Sequence, residues 1–188
     1  MNNPLFSIIT CTLNSENFIS LNIKSVENQL CSSYEHIFID GESSDDTLNI
    51  IKDYQQRDNR VKVFKYPPSG IAHAMNRGVE KAAGKYIIHL HSDDSLHDKQ
   101  VLSDVKEKIS DNEEVDWLYG KIKVKEKNGD VVGMFPGRKI FQISWYRLLK
   151  FFNYVPHQAV FIKKDVFSKH GYFDESIASK MDHDFWLR

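Results

Sequence analysis

The strongest constraint on the fold is an alternation of two hydrophobic periods along the first half of the chain. Residues 5–13 (LFSIITCTL) form a nearly continuous apolar and β-branched run, the pattern of a strand covered on both faces. Phe18, Ile19, Ile23 and Val26 then recur at helical spacing behind Asn14-Ser15, which can cap a helix. Residues 34–40 (YEHIFID) read as a second strand, and residues 41–46 as a turn whose Asp46 caps a helix carrying Leu48, Ile51 and Tyr54. Residues 61–64 read as a third, short strand. The breaker Tyr66-Pro67-Pro68-Ser69-Gly70 follows, and residues 71–83 predict a small-residue helix closed by Gly84 in the left-handed conformation. Residues 86–90 are a fourth strand. Strand and helix alternating over ~90 residues predict βαβ crossovers and an α/β fold with a mainly parallel sheet flanked by helices.

The second half reads differently. Residues 117–125 and 131–135 flank Asn128-Gly129, a hairpin signal, so a smaller mixed region is expected beside the parallel sheet. Residues 131–164 contain no Asp or Glu, while Arg138, Lys139, Arg147, Lys150, Lys163 and Lys164 are basic. Aromatic residues from Phe141 to Tyr154 interleave with them. Residues 138–154 therefore suit a peripheral contact with an anionic bilayer or with an acceptor, against the plainer reading of aromatic side chains packed in a core.

A length of 188 residues with 41% hydrophobic and 27% charged residues suits one globular domain, 1–188. A formal net charge of −1 removes any global electrostatic argument for nucleic acid, and no such partner is expected. Cys11 and Cys31 give no disulfide framework and no zinc spacing, which points to a reducing compartment. Met1-Asn2-Asn3-Pro4 opens no export signal, and no apolar run is long enough to span a bilayer. The expected location is cytoplasmic, with the peripheral option at the inner face of the plasma membrane. Residues 184–188 read as helix interior without a stop, so the domain is expected to continue beyond them.

In an open parallel sheet, ligands bind beyond the carboxyl ends of the strands. Thr12 and Asn14 lie after the first strand, Asp40-Gly41 after the second and Asp93-Asp94 after the fourth. Asp40 can accept hydrogen bonds from a base or a ribose, or else simply form a turn with Gly41. Adjacent carboxylates such as Asp93-Asp94 raise each other's cost of ionising unless a cation is near. Mg²⁺-like ions use one or two protein carboxylates plus phosphate oxygens, so the pair suggests a divalent ion on a diphosphate; a solvated turn is the alternative. Arg77 and Lys81 share a helix face and could meet phosphate, although an exposed face explains them as well.

Six ordered blocks, SIITCTLN (7–14), IDGESSDDT (39–47), SGIAHAMNRG (69–78), AAGKYIIHLHSDD (82–94), PHQAVFIKKDVFSKHGYFDE (156–175) and MDHDFWLR (181–188), resemble the GT-A (Rossmann-like) glycosyltransferases of family 2. The resemblance implies sugar transfer from a nucleoside-diphosphate sugar, UDP-linked on family grounds, to a glycan or lipid-linked acceptor in cell-surface polysaccharide biosynthesis, with inversion at the anomeric carbon. It implies donor contacts at Thr10, Thr12, Asn14, Asp40 and Asp93, Mn²⁺ or Mg²⁺ on Asp94 with Asp93, and a DxD-like element in which His91 and Ser92 replace the usual leading residues. Residues 1–97 would form the donor half and 98–188 the acceptor and catalytic half. Asp182 matches the family's general base, with Met181 in place of an acid and Asp184 as the alternative. A carboxylate suits that role if a partly buried site raises its proton affinity. His157 is a candidate for the acceptor or diphosphate, or a core histidine. The rival readings are a catalytically silent nucleotide-sugar binder and a sugar-phosphate nucleotidyltransferase, the latter weakened by the absence of a glycine-rich basic loop after the first strand.

Overall fold

A computed structural model describes residues 3–111, 115–126, 129–135, 149 and 153–188. Strands β1 (Phe6–Thr12), β2 (Tyr34–Asp40), β3 (Val61–Lys65) and β4 (Tyr86–His89) pair in parallel, in the order β3-β2-β1-β4. Beyond β4 lie β8 (Val160–Lys163), antiparallel to it, and the short edge strand β5 (Trp117–Tyr119), antiparallel to β8. The alternating hydrophobic positions of the strands face two layers. On one side α1 (Ile19–Glu27), α2 (Thr47–Arg57) and α4 (Val101–Ser110) pack through Val26, Ile51 and Leu102. On the other, α3 (Ile71–Lys81), α5 (Lys164–His170) and α6 (Met181–Leu187) pack through Met75, Phe167 and Phe185. The chain leaves β1 towards β2 on the first side and reaches β4 from β3 by way of α3 on the second. The strand order therefore reverses beside β1, where an open sheet has its crevice.

Three local expectations change. Helix α1 begins at Ile19 with Phe18 at its cap position and no side-chain cap; the Ser15 carbonyl instead accepts the N–H groups of Phe18 and Ile19, each at 3.0 Å. Asp46 does sit at the cap position of α2, but its side chain takes Asn49 Nδ2, and it is Asp45 that accepts the Thr47 N–H. Gly84 is absent from the left-handed residues; it is required by proximity, since a Cβ there would lie 2.6 Å from Ser7 N and from Ser7 Oγ.

The expected hairpin forms in part. Residues 117–125 divide at Gly120, whose N–H donates to Ala159 O at 2.9 Å, so that β5 joins the large sheet. Only β6 (Ile122–Lys125) pairs with β7 (Val131–Phe135). Asn128 and most of the basic, aromatic stretch 138–154 lie outside the described residues. Among the described residues no helix is long and apolar enough to cross a membrane.

Candidate active site

The crevice is bounded by the loops after β1, β2 and β4, and these loops are tied to one another by polar side chains. Asp40, fully buried, ends β2. Its Oδ2 accepts from Thr12 Oγ1 at 3.0 Å and Ser43 Oγ at 2.6 Å, and its Oδ1 from the Ser43 N–H at 2.9 Å. The carboxylate thus holds the β1 and β2 loops in register. Asn14, at φ 50°, links the same loops from the solvent side: its Oδ1 accepts the Ser44 N–H at 2.9 Å. A cavity of about 210 Å³ opens beside these loops, lined by Thr12, Leu13, Asp40, Tyr66, Pro67 and Ile71 among others. Apolar walls around few polar groups suit a flat heterocycle. Its floor includes Cys11, whose thiol burial pushes up to about 12, so it stays protonated and is no nucleophile. Both cysteines are free.

Thr10 does not reach the crevice. It is fully buried, its hydroxyl donates to Leu90 O at 2.8 Å and lies 3.0 Å from His36 Nε2. The donor contact expected of Thr10 is corrected on that ground: the side chain joins β1 to β2 and β4 inside the sheet.

Asp93 and Asp94 follow β4 in a turn clamped to α1. Asn22 Nδ2 donates to the carbonyls of His91 at 2.8 Å and Asp94 at 3.2 Å. Ser25 Oγ accepts the Leu96 N–H, and Ser15 Oγ donates to Ser92 Oγ, both at 3.0 Å. Asp93 is exposed, whereas Asp94 is partly buried, and burial together with the neighbouring Asp93 pushes its carboxyl up to about 6. A divalent cation between two such carboxylates would offset both causes. Among the described residues no group of three or more His, Cys, Asp or Glu could hold a metal alone. A hard ion completing its shell with diphosphate oxygens needs only one or two protein carboxylates, so Asp94 with Asp93 fits the role.

Lys180 at φ 64° turns the chain into α6 and places Asp182 in its first turn. Asp182 Oδ2 accepts from Asn153 Nδ2 at 2.9 Å and lies 3.5 Å from His157 Nδ1. Burial pushes its carboxyl up, but hydrogen bonds from His157, Asn153 and the His183 N–H prevail and hold it below the usual range. The raised proton affinity expected for a base is therefore corrected for the free protein: Asp182 is ionised and ready to accept a proton. Asp184 pairs with Arg188 at 3.2 Å and turns to the end of its own helix. His157 Nε2 meets His91 Nε2 at 2.7 Å, which connects the turn after β4 to the neighbourhood of Asp182. Arg77 and Lys81 lie elsewhere: Arg77 pairs with Glu80 at 2.8 Å and Lys81 covers the Phe64 ring.

Three residues that sequence reasoning passed over hold this arrangement together. Asn22 carried a signal, since it is a polar residue on the otherwise apolar stripe of Ile19, Ile23 and Val26. Ser43, three residues after Asp40, matches a turn-forming Asp with a local partner. Asn153 carried none, because its partner is 29 residues away.

Comparisons with known proteins bear on the family and the fold. The family model described as glycosyl transferase family 2 matches residues 7–170. A PGL/p-HBAD biosynthesis glycosyltransferase of Mycobacterium bovis is 31% identical over 186 residues, covering 98% of this chain and 69% of its own length. A GalNAc(5)-diNAcBac-PP-undecaprenol beta-1,3-glucosyltransferase of Campylobacter jejuni is 32% identical over 140 residues, covering 72% of this chain and 43% of its own. Among solved structures, TarS 1-349 of S. aureus superposes with a TM-score of 0.78 at 25% identity, over 96% of this chain and 53% of that one. Its complex with UDP-GlcNAc superposes with a TM-score of 0.77, also at 25% identity, over 96% of this chain and 52% of that one. The chain spans about half the length of these solved relatives. The sheet and its two helical layers are the GT-A fold.

Proposed function

The chain belongs to glycosyl transferase family 2, and from that premise we propose that it moves a sugar from a UDP-sugar to a glycan or lipid-linked acceptor in bacterial surface-glycan assembly, inverting the anomeric carbon. The observation that carries this reading is the convergence of two carboxylate sites on one crevice. Asp93-Asp94 stand on the loop after β4, Asp182 stands on α6, and the His91–His157 contact joins them. The solved complex of TarS with UDP-GlcNAc and the undecaprenol-linked name of the Campylobacter relative support the donor and acceptor classes.

In this mechanism the cavity beside Asp40 takes the base, and Thr12 and Ser43, held by Asp40, line up the loops around it. Asn14 keeps the outer wall of that pocket in place. Asp94 with Asp93 would hold Mn²⁺ or Mg²⁺, and such an ion, when bound, neutralises charge on a departing diphosphate. Asp182 accepts the proton of the acceptor hydroxyl as that oxygen attacks the anomeric carbon; the bond to the diphosphate breaks on the opposite side, so configuration inverts. A contact between residues 138–154 and an anionic membrane surface would bring the protein to a lipid-linked acceptor.

UDP release from UDP-GlcNAc and other nucleotide-sugars, measured with and without Mn²⁺ and with the Asp182→Asn variant, tests the reading. The variant is expected to bind UDP as the wild type does and to lose ~10²- to 10⁴-fold in turnover, the usual contribution of a general base. Turnover equal to wild type would remove Asp182 from its role. Activity that survives exhaustive chelation would remove the cation from Asp94.

A further inference from the structure

We propose that His157 is the positioning residue of Asp182, and that His91 fixes His157 in the tautomer that does this. The proposal rests on the sugar-transfer reading and deepens it. His91 Nε2 lies 2.7 Å from His157 Nε2, and His157 Nδ1 lies 3.5 Å from Asp182 Oδ2. Two ring nitrogens at the first distance share a single proton, so one ring donates and the other accepts. If neutral His157 donated from Nε2, it would turn the lone pair of Nδ1 towards the carboxylate. The opposite arrangement removes that conflict: His91 donates from Nε2, and His157 accepts there and carries its own proton on Nδ1, facing Asp182. The hydrogen bond made by one ring nitrogen thus decides what the other presents.

A geometric consequence follows for the base. Asn153 Nδ2 also donates to Oδ2, at 2.9 Å, so both side-chain partners converge on one oxygen of Asp182. Oδ1 takes neither side-chain donor and is the oxygen left to the acceptor hydroxyl. The same line crosses the crevice, from the loop bearing Asp93-Asp94 through two rings to α6. A shift of the donor-side turn is therefore transmitted to the orientation of the base without any direct contact between the carboxylates.

The first test needs no substrate. In ¹⁵N-histidine spectra of the whole chain, His157 is expected to be protonated at Nδ1, and His91→Phe to abolish that preference. Protonation of wild-type His157 at Nε2 alone overturns the proposal, whatever the enzyme turns over. A wild-type protein that releases no UDP from any nucleotide-sugar defeats the sugar-transfer reading separately, leaving the tautomer result to stand on its own.

Where UDP is released, His157→Phe is expected to lower kcat ~100-fold, the size of effect that a small misplacement of a reacting group produces. UDP affinity by calorimetry should stay unchanged. Among the described residues, the groups facing Asp182 are His157, Asn153 and the His183 N–H. Losing one donor raises the carboxylate's proton affinity, so the acid limb of the kcat–pH profile should move to higher pH. His157→Asn, whose amide can donate to Asp182, should recover part of the rate and part of that shift. A matching loss of UDP affinity, or an unmoved acid limb, would place His157 on the donor and overturn its positioning role.

Discussion

Asn22 lies wholly inside α1's buried stripe, yet its amide serves the acidic turn rather than the core. Asn22→Leu would keep the volume, remove the Asn22 donor from the Asp94 carbonyl and leave the His91 carbonyl with the Asp94 N–H alone. Leaving one buried acceptor unsatisfied costs about 1–3 kcal/mol, and the expected outcome is a lower urea midpoint together with a higher Mn²⁺ requirement for UDP release. An unchanged Mn²⁺ requirement would show that the turn does not depend on this clamp. The polar residues at strand ends were legible as a group, because strand ends in a parallel sheet face one crevice. Their individual duties were not. Thr10 and Thr12 share strand parity, yet Thr10 is enclosed between His36 of β2 and the Leu90 carbonyl just past β4, while Thr12, two residues further on, reaches Asp40. Only their neighbours across the sheet separate them, and that is a tertiary fact.

Gly84 stands where α3 has ended and β4 is about to begin, against the backbone of β1. Its N–H donates to Ser7 Oγ at 2.8 Å and to Glu35 Oε1 at 3.2 Å, so the junction is fixed by a buried carboxylate as well as by proximity. Gly84→Ala is expected to cost about 1–3 kcal/mol, as overpacking in a tight interior does, read as a fall in the thermal midpoint. A neutral result would mean that the junction can open by several tenths of an ångström. Strands β1, β2 and β4 were readable because each is a buried, mostly apolar run, and β3 as a short hydrophobic stretch ahead of a chain breaker. The antiparallel pair at the far edge was not. Strands β5 and β8 do not continue the βαβ alternation, and their place comes from antiparallel ladder bonds made across the sheet. The start of α1 and the capping contact of α2 were missed for a related reason, since the groups there also bind the opposite loop.

The assembled molecule carries a pH dependence that follows from its buried histidines. Burial pushes His36 down to about 3, and burial with the neighbouring His157 pushes His91 down to about 4; His89 is also depressed. Unfolded histidines titrate near 6.5, so as pH falls below that value the unfolded chain binds protons that the folded chain refuses. Each such proton lowers stability by about 1.4 kcal/mol per pH unit until the folded value is reached. Asp94 has the opposite sign: raised to about 6, it takes a proton in the folded state first and offsets one histidine below that pH. The balance predicts a lower urea midpoint at pH 5 than at pH 7.5, and an equal midpoint would contradict the burial of these rings. The order of the sheet has another consequence, for behaviour in a crowded solution. One rim, β3, carries Lys65 beside Lys62, whose ammonium pairs with Glu35 at 2.6 Å, and the other, β5, offers a ladder of only three residues. A stray strand arriving edge-on meets lysine charge at one rim and too few hydrogen-bonding groups at the other, so neither rim is a good template for fibrous aggregation.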